Sequence, residues 1–290
     1  MVDQLTAQLL AASAGVSPDP MGRLAALTTT SLTALKHYLR GETEYRRGRY
    51  VQAFEAFRAA AREDTSFALA HFRLAQSASW APPVGWTWDS LVDRSRIAQS
   101  HAGRLSTRPR LLLHGYHAWA TGRYDEAERV YRTVTRLYPE ELEAWYQLGE
   151  VLFHTNPMRG RSILEARVAL EGVIVLDPPH LGALTHLVRI AAREGRHEEV
   201  DSLLNRLTRL QPPDQQMEVK ALRVFLLRDA RAEDRLIDAL RGADEEQTRS
   251  ISHRIAVYGG RLDGAMRTLP LLTRGAASAD ARAHAHLWLA

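Results

Sequence analysis

One short phrase recurs along this chain and restricts its fold more than any other feature: Gly48-Arg49-Tyr50, Gly122-Arg123-Tyr124, Gly195-Arg196-His197 and Gly260-Arg261-Leu262. A small or branched residue follows each closely, at Ala53, Ala127, Val200 and Ala265. From those residues runs a pattern of apolar positions at i, i+4 and i+7, and the same pattern recurs between them. It reads Ala53/Phe57/Ala60, Ala98/Ala102/Leu105, Ala127/Tyr131/Val134, Ala166/Leu170/Val173, Val200/Leu204/Leu207, Ala232/Leu236/Ala239 and Ala265/Leu269/Leu272. Seven helices therefore carry one apolar stripe with a small or branched residue at its head. A glycine in the phrase ends one helix in a left-handed conformation that other residues enter at a cost. The small residue lets two antiparallel helices approach closely, and the larger ones fill the groove between repeats.

The helix that precedes a phrase is patterned too. Trp145-x-x-Leu148-Gly149-x-x-Leu152 occupies one such helix, and Pro139, Pro178 and Pro212 close successive units. Pro178 to Pro212 spans 34 residues, whereas Pro139 to Pro178 spans 39, which places a five-residue insertion in Thr155–Arg161. The units run 34–67, 68–107, 108–141, 142–180, 181–213, 214–243 and 244–275. The second is aberrant, because Trp80-Ala81-Pro82-Pro83-Val84-Gly85-Trp86-Thr87-Trp88 stands where a tight turn belongs. Those tryptophans fill the gap left by an irregular repeat, or else anchor a partner. At 290 residues a compact fold would require two cores, a limit that an array avoids because each unit packs on its neighbours.

The tryptophan–leucine–glycine helix, the turn phrase, the closing prolines and the 34-residue spacing together resemble the tetratricopeptide repeat (TPR). The resemblance implies an all-α fold, a right-handed TPR superhelix, that is, an α-solenoid of antiparallel helix pairs. Two further phrases, Leu32-Thr33-Ala34-Leu35-Lys36 and Trp145-Tyr146-Gln147-Leu148-Gly149-Glu150, resemble the TPR region of large bacterial signalling proteins. There the repeats typically follow a serine/threonine kinase domain or a TolB-like domain. Residues 1–30 are expected to form a helix and linker, and 31–290 an array of about seven irregular repeats with the start of another helix. Both ends are expected to be cut from a longer chain, so that a kinase polypeptide is one alternative parent.

In such arrays the first helix of each repeat lines the concave side. The resemblance thus implies a partner-binding face of Tyr38, Glu42 and Tyr45, then Leu112, Tyr116 and Trp119, then Tyr146, Glu150 and Phe153. Thr185, Arg189 and Arg193 follow, with Arg223 in the sixth repeat. Aromatics running into arginines suit a protein or peptide ligand with apolar and acidic residues. Half of these aromatics would serve equally well as packing between repeats.

No residue pattern points to catalysis, a cofactor or a metal. The chain has no cysteine, which removes disulfides and thiolate chemistry. His114 with His117, and His284 with His286, lack the third and fourth ligands of a metal site. The acid pairs Glu140-Glu141, Glu198-Glu199 and Glu245-Glu246 stand beside turns or at helix starts, where the helix dipole favours them. No small-molecule substrate is expected. Thirty-eight basic against 34 acidic residues leave a balance of +4. The basic groups Arg46/Arg47/Arg49, Arg104/Arg108/Arg110 and Arg159/Arg161 make nucleic-acid binding the second alternative, disfavoured because acidic residues interrupt any continuous track. No stretch approaches the roughly 20 apolar residues of a membrane span. Leu9-Leu10-Ala11-Ala12 lacks the flanking positive charge of a secretory signal, so a cytoplasmic location is expected.

Overall fold

The structure, a computed structural model, describes residues 29–80, 83, 85–210, 216–242, 245–253, 255 and 261–273. Their regular structure is helical throughout. The chain divides into two compact units, Met1–Val151 and Leu152–Ala290. The expected segment 1–30, the helix from Ala279, the Gly260 turn and the His284/His286 pair fall wholly or almost wholly outside the described residues. Among those residues no helix is long and apolar enough to cross a membrane.

In the first unit α1 (Leu32–Arg46) pairs with α2 (Tyr50–Glu63), α3 (Ala68–Trp80) with α4 (Trp88–Ser100), and α5 (Thr107–Ala120) with α6 (Tyr124–Leu137). The helix α7 (Leu142–Thr155) begins in this unit. Two helix starts in this unit are fixed by side-chain caps. The Ser31 hydroxyl accepts from the Ala34 N–H at 3.1 Å, and Thr87 forms a reciprocal box with Ser90 at the head of α4.

Helix ends follow the turn phrase. Gly122 has φ +76°, and the Arg123 N–H reaches back to the Ala118 carbonyl at 2.8 Å, closing α5 with a Schellman turn. The same back-bond runs from Arg49 to Glu44 in this unit and from Arg196 to Ala191 in the second.

The stripes are the core. Ala53, Phe57, Ala60, Ala127, Tyr131 and Val134 are all fully buried. In two of the pairs, α1/α2 and α5/α6, a second glycine is required by packing instead of by φ. A Cβ on Gly41 would lie 2.5 Å from the Phe57 ring, and one on Gly115 would lie 2.8 Å from the Tyr131 ring. Both glycines sit in the first helix of a pair and both rings in the second, so a bare backbone lets the aromatic lie flat across it.

The second repeat is irregular where expected, and its stripe is built differently. The helix α4 stops at Ser100, so Ala102 sits in a 3-10 turn, Ala102–Arg104, and Leu105 follows it outside any helix. All three stripe residues stay buried. The tryptophans fill the irregularity. Trp86 meets Phe54 edge-on at 5.0 Å, and Trp88 donates its ring N–H to the Ala120 carbonyl at 3.0 Å while crossing Trp119 at 5.2 Å. Trp88 nonetheless keeps 52% of its surface exposed.

In the second unit, α8 (Arg167–Leu176), α9 (Leu181–Arg193) and α10 (His197–Leu210) are followed by α11 (Gln216–Leu226), α12 (Ala230–Leu240), α13 (Glu245–His253) and α14 (Leu262–Thr268). The insertion lies at Thr155–Arg161, as its spacing predicted, and Asn156 organises it. Buried Asn156 donates to the Ser162 carbonyl at 2.9 Å and accepts from the Arg159 guanidinium at 2.6 Å. The backbone then turns at Gly160 with φ +69°.

One predicted stripe is corrected. In α12 Ala239 is exposed and Ala232 only half-buried, while Glu233, Leu236, Ile237 and Leu240 are buried. The buried face is rotated by one residue because Glu233 turns inward to meet Arg261 and Arg267.

Candidate functional site

The first helices of the repeats carry the residues of interest, and the first unit gathers them around one buried arginine. Arg73, on α3, donates to Glu42 of α1 at 2.7 Å and to Glu143 of α7 at 3.0 Å. It also donates to the Gln76 amide oxygen at 2.7 Å. Gln76 and Gln147 each donate to Glu143, at 2.6 and 2.9 Å. Burial pushes the Glu143 carboxyl up, but the Arg73 charge and the donors from Gln147 and Gln76 carry it below the usual carboxylate range. Both acids therefore share one guanidinium.

Tyr45 lies against the same arginine, with the guanidinium carbon 5.2 Å from its ring centroid. From Tyr45 a row of rings extends through Tyr50 and Trp80 to Tyr146, each centroid within 5.9 Å of the next. A second group joins Phe72, Tyr116, Trp119 and Trp88. Neither Arg73 nor Trp80 was singled out by repeat register, since register marks helix faces and carries no information about which polar groups meet across them.

The expected face is therefore divided by depth. Tyr38 is fully buried between Phe57 and Phe67, at 5.4 and 5.0 Å, and fills the core. Leu112 and Tyr116 are buried too, Tyr116 with its hydroxyl 2.9 Å from that of Ser79. Glu42 and Tyr146 are buried within the Arg73 network and the ring row. Tyr45, Trp119 and Glu150 remain half-buried. Burial raises the phenols of Tyr38, Tyr45 and Tyr146 well above their ordinary value, and the nearby glutamates add to the rise.

In the second unit, buried Phe153 stacks on His186 at 4.2 Å, and the Arg189 guanidinium lies 5.1 Å from the Phe153 ring. Arg189 is half-exposed and Arg193, one turn further along α9, is exposed. Thr185 is half-buried, and its hydroxyl donates to the Leu181 carbonyl of its own helix at 2.8 Å. Arg223 is pinned by Asp201 at 2.8 Å and Asn205 at 3.0 Å. The paired histidines of α5 have ordinary partners: His114 meets Glu126 at 2.9 Å and His117 meets the Ser95 hydroxyl at 2.9 Å. Glu198 and Glu199 lie in the first turn of α10, where the dipole favours them, and Glu199 also meets Arg167 at 2.8 Å.

Comparison with known proteins agrees with this architecture. Residues 112–156 match the family described as Tetratricopeptide repeat. That segment holds the latter part of α5 and all of α6 and α7, including Trp145, whose ring N–H donates to the Pro139 carbonyl at 2.8 Å. No curated protein matches the sequence. The Rap protein solved with Competence and Sporulation Factor is similar in fold, with a TM-score of 0.53 at 12% identity over 90% of this chain and 78% of that one. A tetratricopeptide repeat protein from Parabacteroides merdae gives 0.44 at 16% identity over 90% of this chain and all of that one. YrrB, described as a TPR protein with an unusual peptide-binding site, gives 0.35 at 16% identity over 63% of this chain and 89% of that one. Helix pairs closed by left-handed glycines and stripes that bury between them give the chain the fold of a tetratricopeptide-repeat solenoid, and residues 112–156 match that repeat in sequence.

Proposed function

We propose that the chain is a non-enzymatic scaffold that binds a protein or peptide through the first-helix faces of its repeats. The observation that carries the reading is on α9. There a half-exposed arginine lies over a phenylalanine, with an exposed arginine one turn further on. The exposed Arg193 offers its N–H fork to a carboxylate, and Arg189, held against the buried Phe153 ring, adds positive charge one turn away. This suits a ligand with acidic residues. The Rap protein, alike in fold, was solved with Competence and Sporulation Factor, so this architecture can hold a partner. The resemblance of the phrases near Leu32 and Trp145 to bacterial signalling proteins supports a scaffold or sensory role in that setting.

The test uses a fluorescein-labelled acetyl-(Leu-Glu)4-amide peptide and fluorescence anisotropy. Changing Arg189→Glu together with Arg193→Glu is expected to weaken capture by about tenfold or more, since two attractive charges become repulsive. Unchanged capture by a variant with wild-type circular dichroism removes α9 as the binding face.

A further inference from the structure

Three side chains of α7 and α9 converge in a way that the repeat does not require. Glu150 and His154 lie one turn apart on α7, and His186 joins them from α9. Each offers one ligand atom, a carboxylate oxygen or an imidazole nitrogen, and these atoms all lie within 4.8 Å of one another. Glu150 is the last residue but one of the first unit, yet it stands on the same unbroken helix as His154. The group is therefore formed by α7 and α9 alone. Repeat spacing does not mark it, because its members come from the first helices of two successive repeats.

The surroundings hold the group in shape and leave it open on one side. His186 is 2% exposed and stacks on Phe153 at 4.2 Å and 27°. The His154 ring meets it edge-on, with centroids 5.1 Å apart and planes at 78°. Packing thus sets the direction of the buried imidazole. Glu150 is half-buried and His154 exposed, which gives an ion a path from solvent. Each of the three already has an interaction of its own, so a bound ion exchanges existing contacts for coordinate bonds.

We propose that Glu150, His154 and His186 bind one divalent cation of the zinc class. Two imidazoles and one carboxylate suit Zn2+, whereas Mg2+ and Ca2+ prefer shells made of oxygen alone. In a tetrahedral site with bonds of about 2.0–2.2 Å, ligand atoms stand roughly 3.3–3.6 Å apart. Contraction to that spacing from within 4.8 Å needs small side-chain rotations, and the exposed His154 has room to make them. Three protein ligands leave the fourth position to water.

The probe is Zn2+ itself, titrated by isothermal calorimetry into the tag-free full chain after EDTA treatment and dialysis. The wild type is expected to bind one equivalent, about a hundredfold or more tightly than Mg2+. His154→Ala removes an exposed ligand, and Glu150→Gln keeps the size of a half-buried one. Each is expected to weaken Zn2+ by about tenfold or more, since even the outer partners of metal ligands count for that much. Buried His186 is left in place to spare the packing against Phe153, and circular dichroism confirms that both variants are folded. Co2+ is expected to give the wild type a visible d–d absorption that His154→Ala abolishes. His114→Ala, which alters the separate His114–Glu126 pair, is expected to leave the Zn2+ affinity unchanged. Absence of Zn2+ binding by the wild type overturns the proposal, as does an affinity unmoved by either His154→Ala or Glu150→Gln. Binding lost in His114→Ala but kept in His154→Ala puts the ion elsewhere and overturns it too. The titration contains no peptide, so its outcome is separate from that of the α9 test.

Discussion

The two units bury their central arginines to a similar depth but surround them with acids at different depths. In the first, Arg73 has a side chain 8% exposed and partners Glu42 and Glu143 at 5% and 16%. In the second, Arg167 is 12% exposed but reaches acids that meet solvent, Glu171 at 50% and Glu199 at 32%. Arg261 meets buried Glu233, yet its other acid, Asp263, is 67% exposed. A charge removed from the first unit leaves its partners stranded away from water, whereas most partners in the second can be rehydrated. The same kind of ion pair is therefore a constraint on register in one place and a surface tether in the other.

The sharpest way to break this comparison is to delete one arginine from each unit. Arg73→Met should cost about 3–5 kcal/mol, because two carboxylates lose their only shared cation in a buried setting. Arg167→Met should cost about 1 kcal/mol, since solvent takes over much of its role. Urea unfolding of each variant reads both numbers, and equal losses would erase the distinction. A smaller effect is expected at the bare backbone beneath Tyr131. Gly115→Ala sets a Cβ 2.8 Å from that ring, and moving it should cost about 1–3 kcal/mol by the same measurement.

The smallest effect is on pH dependence. Glu143 has a folded value held below its unfolded one, so its contribution is complete above the unfolded value of about 4.3 and lost as pH falls through the folded value. Urea midpoints should fall over that acid window in the wild type and fall less steeply in Glu143→Gln. Asp263 is carried down to about 2 by its hydrogen bond from Arg261, but its exposure means that solvent screens most of the corresponding effect.

Much of the fold was legible because its signals are local. A glycine before an arginine ends a helix whether or not the next repeat is present, so Gly48, Gly122 and Gly195 all have positive φ. The five-residue excess between Pro139 and Pro178 located the Asn156 loop, and the tryptophan cluster located the irregular second repeat. The candidate face was less legible. Register assigns Tyr38 to a first helix but cannot say that Phe57 and Phe67 close over it. Nor does it show that α12 rotates by one residue, because the cause is a partner for Glu233 some 30 positions further on.

The sequence by itself determined the helical repeat, its turns and its buried stripes, since these follow from residue size, backbone freedom and periodicity over a few neighbouring positions. Only the tertiary structure decided which polar groups meet. Arg73 lies 31 residues from Glu42 and 70 from Glu143, inside a helix whose other positions from Ala68 to Ala78 are buried. Nothing in the neighbouring sequence marks it, because its role depends on charges brought together by packing between helices. The ring row from Tyr45 to Tyr146 was assembled in the same way, by the approach of helices distant along the chain.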